Sequence, residues 1–438
     1  MRTTVIAALL CLASALGLGL HEQRQAAAPR SNDLTIPASD AWYKSLPSDP
    51  KRATAAFLDR IPAGMRERGE QVSRSRYWVL AARIVASIFS LLLFLFSGAA
   101  ITIEEALSRW SRYRWLQALL FAFTLLTFVL IITMPVEVYA GYARWRRFGF
   151  ADRPFTEWLG DYLLNWMALA VFYAAGLAVL MAVLRRWPRS WFLWAGLVYL
   201  ALATIYTAAT PGLIEPLTNH YAPLPQSETK SEILEMVRAA GVSADDIYTG
   251  NASRQSRMLN AHVSGIFGSA RVSVDDTTLA SQSLASVKAV VAHELGHYVQ
   301  WHMVKMVLFQ SVVATLGFAL IAWAGPLLVQ KFGARWRVSR FESVGEIAIL
   351  WLLFVAWGFV SEPVTNFYTR VQESQADAYG LDLSRAPEGM AEFMIHDADI
   401  ARLQPTLLDV LLFYDHPSDV SRVENAMRWR AAHSGSVR

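Results

Sequence analysis

Cysteine is almost absent. Cys11 is the only one in 438 residues, so no internal disulfide can form and no zinc knot can be built from thiolates. Any metal has to be held by histidine and carboxylate. Charge is scarce too: Asp, Glu, Lys and Arg make up 17% of the chain, against about a quarter in an ordinary soluble domain. The net charge is +4, and the arginines are scattered between apolar blocks rather than gathered on one face. That excludes nucleic acid as a partner, which needs a contiguous cationic surface. Only six of the forty basic residues are lysine, a usage that points to a GC-rich bacterial genome. No internal repeat or low-complexity tract is found.

What the chain has instead is apolar length. Hydrophobic residues make up 54%. Five runs are long enough to cross a bilayer, which takes about 20 apolar residues: Ile84 to Ile103, Trp115 to Met134, Tyr162 to Leu184, Trp191 to Thr210 and Met306 to Val329. A sixth, Ile347 to Val360, is short and bracketed by Glu346 and Glu362. If it crosses, those acids should face water rather than lipid. Several of the sixteen tryptophans flank the runs, as at Arg114-Trp115 and Arg189-Ser190-Trp191, where membrane-interface residues belong. Thr3 to Leu20 fits a signal peptide or a first spanning helix equally well. Arginines stand in nearly every short loop, so charge asymmetry sets no orientation.

Two regions are polar enough to lie in water, Pro211 to Trp301 and Thr365 to Arg438. In the first, Ser227 to Ala240 reads as an amphipathic helix closed by Gly241. Short strand-like runs follow: Ile247 to Thr249, Met258 to Val263 and Arg271 to Asp275, with Gly265 and Gly268 suited to a hairpin. Ser283 then opens another helix. The expected organisation is 1–210 membrane helices, 211–303 a water-exposed domain, 304–364 two further membrane helices and 365–438 the rest of that domain.

The helix after Ser283 carries Ala292-His293-Glu294-Leu295-Gly296-His297-Tyr298. Histidines at i and i+4 share one helical face, so both imidazoles can reach one zinc ion. The glutamate between them is placed to take a proton from water whose pKa zinc lowers from about 15.7 to about 7. The product can attack a peptide carbonyl. A catalytic zinc needs a third protein ligand and an open fourth position. Gln300 and Met303 stand where the metzincin pattern carries glycine and histidine, so that class is excluded. His302, five residues past His297, turns off the ligand face and reads as a supporting residue. A later glutamate remains, and Glu342, Glu346, Glu362, Glu373, Glu388, Glu392 and Glu424 are the candidates. Glu373 is distinguished by its neighbours. Asp377, one turn on, can accept from a ligating imidazole, and Arg370, one turn back, can pair with either carboxylate. An exposed charged helix face fits the same residues, and on spacing alone both readings stay open.

Taken together, the blocks resemble the type I CAAX prenyl endopeptidase family, integral-membrane zinc proteases. Pro216-Leu217-Thr218-Asn219, Asn260-Ala261-His262-Val263, Asp276-Thr277, the zinc helix with His302, Arg370-x-x-Glu373-x-x-Ala376-Asp377, and His416-Pro417 with Arg422 match in order from Pro211 to Arg422. The resemblance implies a mostly α membrane protein: about seven transmembrane helices enclosing a chamber, with a gluzincin-type zinc protease domain containing a small β-sheet. It implies one zinc held by His293, His297 and Glu373, with Glu294 as general base and Asp377 and Arg370 in support. His416 and Arg422 would serve the oxyanion or orient the ligands. Asn260 and Ala261 would bind the substrate along an edge strand. Seven helices require both Thr3 to Leu20 and Ile347 to Val360 to span. His262 and Thr278 depart from the family's usual aromatic and leucine, which bears on side-chain preference.

The leading functional expectation is an endopeptidase acting on CAAX-type or other lipid-bearing protein substrates in a bilayer, with a bacterial inner membrane favoured over the endoplasmic reticulum. The runner-up applies the same chemistry to membrane-protein quality control without a prenyl requirement. A transport protein with a structural zinc is disfavoured, because structural sites fill all four positions with protein ligands.

Overall fold

The computed structural model describes residues 38–244, 246–265, 270–338, 344–396 and 398–434. The expected first helix from Thr3 to Leu20 lies outside them, as do Cys11, Gly268 and Glu342.

The chain begins with α1 Asp40–Ser45 and α2 Pro50–Asp59, each opened by a side-chain cap: Ser39 accepts from the Trp42 N–H and Asp49 from the Arg52 N–H. Long helices follow: α3 Ala63–Phe96, α4 Ala99–Trp110, α5 Arg114–Glu137, α6 Phe155–Arg186 and α7 Trp191–Ala209. The single run expected from Ile84 to Ile103 is broken. Gly98, at φ +76°, separates α3 from α4, a backbone conformation that glycine adopts without strain. Next come β1 Tyr221–Pro223, α8 Glu228–Ala239, β2 Ile247–Gly250, β3 Ala261–Ser264, β4 Arg271–Asp275, α9 Asp276–Ser281 and α10 Leu284–Val299. The chain closes with α11 His302–Trp336, α12 Ile347–Ser384, α13 Pro387–His396, α14 Leu407–Leu412 and α15 Asp419–Ala432.

Among the described residues, six helical stretches are long and apolar enough to cross a membrane: Ala63–Phe96, Arg114–Arg147, Phe155–Arg186, Trp191–Leu217, His302–Trp336 and Ile347–Ser384. Their best windows have mean hydropathy between 1.7 and 2.5. The short run Ile347 to Val360 is therefore the first part of a 38-residue helix that continues without a break into the Glu373 segment.

Contacts divide the chain into two units. The described part of the first comprises Tyr77–Ala203 and Ser311–Val360, with a core built from Phe94, Phe121, Leu125, Met181, Trp191 and Ile349. Its helices approach closely where glycines sit. A Cβ on Gly317, for example, would collide with the Trp357 ring, whose Nε1–H donates to the Val313 carbonyl at 3.0 Å.

The second unit gathers the segment before Tyr77, Thr204–Gln310 and Ser361–Arg438. The described residues up to Arg76 thus belong with the sheet, apart from the membrane helices of 1–210 with which their sequence grouped them. Phe57 and Met65 pack against Ala426 and Met427. The sheet has the order β1-β2-β4-β3, with β2 and β4 parallel and the outer pairs antiparallel. Alternation along the strands turns Ala261, Val272, Val274 and Ile247 toward Ile233 of α8 and Val291 and Leu295 of α10. That packing lays α10 across the sheet beside β3, an edge strand.

Candidate active site

Ser283 caps α10 by accepting from the Ser286 N–H, and Val287, Val290 and Val291 bury its inner face. This fixes the rotation of the helix and turns His293 and His297 together. Their Nε2 atoms lie 3.1 Å apart. Glu373 arrives from α12, with Oε2 3.2 Å from His293 Nε2 and Oε1 3.4 Å from His297 Nε2. One donor atom from each residue falls in a cluster within 4.8 Å. Two small residues let the helices approach this closely. A Cβ on Gly296 would sit 3.2 Å from the Ala376 backbone, and one on Gly380 would sit 2.9 Å from the His293 nitrogen.

The donor set suits a zinc ion: two imidazoles and one carboxylate. Glu373 Oε2 is buried and receives no hydrogen bond of good geometry. The far nitrogen of His293 is already engaged, with Nδ1 2.9 Å from Asp377 Oδ1. Asp377 in turn accepts from Arg422 Nε at 2.8 Å and Nη2 at 2.6 Å. Such an outer partner fixes the ring and frees Nε2 for a metal. His302 Nδ1 lies 3.1 Å from His297 Nδ1, and its Nε2 lies 3.1 Å from Gln375 Oε1. His416 is half-exposed, with Nε2 3.2 Å from Glu373 Oε2 and Nδ1 2.8 Å from Asp415 Oδ1.

One expectation is corrected. Arg370 pairs with neither carboxylate; its Nη1 donates to the Val410 carbonyl at 2.8 Å and to the Tyr414 carbonyl. Asp377 takes Arg422 instead, because the partner comes from a helix distant in sequence.

Glu294, His293, His297, Glu373, His416, Asn260 and Ala261 line one cavity of about 1050 Å³. Burial raises the Glu294 pKa, while charge on His293 and His297 would pull it back. Burial also works against charge on His293, yet the Asp377 and Glu373 carboxylates beside its ring outweigh it and lift the metal-free pKa to about 9. Asn260 sits just before β3, its N–H donating to Thr278 Oγ1 at 2.8 Å and its carbonyl accepting from that hydroxyl at 2.9 Å. Thr278 was noted in the sequence only as a departure. Its hydroxyl position makes it the anchor of the strand's start.

The sequence profile of peptidase family M48 matches residues 223–430. A second, described as CAAX prenyl protease N-terminal, five membrane helices, matches residues 48–220. The chain belongs to peptidase family M48. It is a metalloprotease of that zinc-dependent family and a multi-pass membrane protein. A Bacillus subtilis protein described as an uncharacterized metalloprotease, YhfN, is 26% identical over 90% of this chain and 91% of its own length. CAAX prenyl protease 1 of Saccharomyces cerevisiae is 27% identical over 70% of this chain and 71% of its own. The crystal structure of S. mikatae Ste24p shares the fold, with a TM-score of 0.70 and 18% identity, covering 96% of each chain.

Proposed function

We propose that the chain hydrolyses peptide bonds of CAAX-type or otherwise lipid-bearing substrates, with one zinc held by His293, His297 and Glu373. The observation that carries the reading is the convergence of those three side chains beside Glu294 on the wall of one cavity. Zinc, when bound, would polarise the substrate carbonyl and acidify water. Glu294, kept half-buried, would take the proton from that water and pass it to the leaving amine. His416, half-exposed at the cavity wall, would donate to the developing oxyanion. Arg422, buried on Asp377, would hold the His293 ring in place, a positioning role. Ala261, on the outer strand of the described sheet, would pair its backbone with the substrate, and Asn260, whose own N–H is held by Thr278, would contact the substrate through its side chain. Arg370 would support the site through the 410–414 backbone it binds.

Glu294→Gln should leave zinc bound and lower kcat at least about 100-fold, the scale of a lost general base. Metal content and cleavage measured on the same sample decide it, and persistent cleavage would refute the base assignment. Matched peptides with and without farnesyl-cysteine test the substrate class. Preference for the farnesylated peptide supports it. Equal cutting favours the second reading, quality control without a prenyl requirement; the broad match to a bacterial relative favours a bacterial membrane under either reading.

A further inference from the structure

We infer that the segment from Leu403 to Phe413, with α14 at its centre, is seated in the headgroup boundary of one bilayer leaflet as an interfacial anchor. Its own side chains are distributed the wrong way round for water. Leu407 is 74% exposed and Leu408 59%, while the only acid of the helix, Asp409, is fully buried. Val410, Leu411, Leu412 and Phe413 are half-buried. Asp409 is held from inside: Arg402 Nη1 donates to Oδ2 at 2.6 Å, and the Thr406 N–H and hydroxyl each donate to it at 2.8 Å. A helix that hides its charge and presents leucines outward is inverted relative to a water-facing helix and matches an interfacial one.

Continuity with α12 identifies what covers those leucines. Val360, Val364, Phe367 and Val371 are 63%, 55%, 63% and 41% exposed. Their spacing of four, three and four puts them in one stripe along the helix. From Ile347 to Gln372 the only charged residues are Glu362 and Arg370. At 100° per residue, Glu362 falls on the side of the helix away from the stripe. The stripe stops at exposed Ser374 and Gln375, so the lipid-facing surface of this spanning helix ends about there. Helix α14 is pinned at that level. Asn366 Nδ2 donates to the Leu411 carbonyl at 3.0 Å, and Arg370 Nη1 to the Val410 carbonyl at 2.8 Å. Asn366 and Arg370 each precede a stripe residue by one position, so α14 lies beside the stripe and leaves it open. The segment leads directly into His416, whose Nε2 approaches Glu373, so a short stretch of chain joins the lipid contact to the candidate metal site.

The test uses the full chain in phosphatidylcholine and phosphatidylglycerol vesicles, with Cys11→Ser as background. Spin labels are placed by Leu407→Cys and Leu408→Cys, with Leu316→Cys on α11, 57% exposed, as lipid reference and exposed Glu235→Cys on α8 as aqueous reference. Collision with oxygen and with a water-soluble nickel chelate is measured for each. The anchor predicts an oxygen-to-nickel ratio at both leucine positions several-fold above that of Glu235→Cys and below that of Leu316→Cys, which lies at mid-length of a spanning helix. A ratio at the aqueous level overturns it. So does protection from both reagents, which would mean that a second copy or a protein partner covers α14. Because both side chains point outward, labelling leaves the packing intact, and an unchanged metal content in each labelled protein verifies this.

Discussion

At the scale of the residue, the candidate chemistry rests on how Glu294 and His293 are surrounded. Burial raises the Glu294 carboxyl above its ordinary value, and the nearby histidines oppose this only in part. A general base works only when deprotonated. Activity should therefore rise with pH through a pKa above the free glutamate value of about 4.3. A pH profile of kcat/KM checks this, and an acid limb at the ordinary carboxylate position would count against the assignment. His293 depends on Asp377, which binds its Nδ1 while accepting two hydrogen bonds from Arg422. Asp377→Asn should weaken metal affinity about 10–100-fold, the usual cost of losing an outer partner. Competition with a chelator measures it, and unchanged affinity would reduce the carboxylate to a purely structural residue.

At the scale of the element, the crossing of α10 and α12 decides whether the donors meet. Gly296 faces Ala376 at a distance tight for a further carbon, and Gly380 faces the His293 backbone with no room for one. Gly380→Val should push the helices apart at a cost of about 1–3 kcal/mol and draw Glu373 away from the histidines. The expected readout is lower metal content together with a lower melting temperature. A variant that melts early but still binds zinc normally would dissociate packing from ligand geometry. Arg370 works at this scale as well, since it ties α12 to the backbone at Val410 and Tyr414. Arg370→Leu should cost about 1.5–3 kcal/mol in thermal unfolding, the range for hydrogen bonds from a charged donor. Zinc content should hold, because Arg370 touches neither carboxylate.

At the scale of the whole molecule, the sheet-bearing unit is assembled from segments far apart in the chain. Asp399, fully buried, receives Arg68 at 2.5 Å and Arg257 at 2.7 Å. Asp399→Ala would take the shared acid from two partly exposed arginines and should destabilise by about 1.5–3 kcal/mol, the range for hydrogen bonds to charged groups. Asp275 contributes to the pH response of this unit. Burial first, then the neighbouring Asp276 charge, raises its pKa to about 6. Between the ordinary value near 3.9 and about 6 the folded state holds a proton on Asp275 that the unfolded chain has released, so the contribution of this carboxyl to stability falls as pH rises through that window. Asp275→Asn should flatten the slope of melting temperature against pH there.

Much of this was legible in the residues themselves. The helix starts at Ser227 and Ser283, the alternating strands, the spanning runs and the His293 to His297 spacing follow from caps, periodicity and hydropathy, which act within a few residues. Strand β1, the break at Gly98 and the helices before Arg76 were missed because their local signals are short or weak. The sequence by itself determined the element types, the bilayer as solvent and the two imidazoles on one face. Only the tertiary structure decided which later side chains reach them and that Arg422, not Arg370, takes Asp377. Those choices depend on where two helices cross, and a crossing is set by close packing between residues that the chain's local forces never bring together.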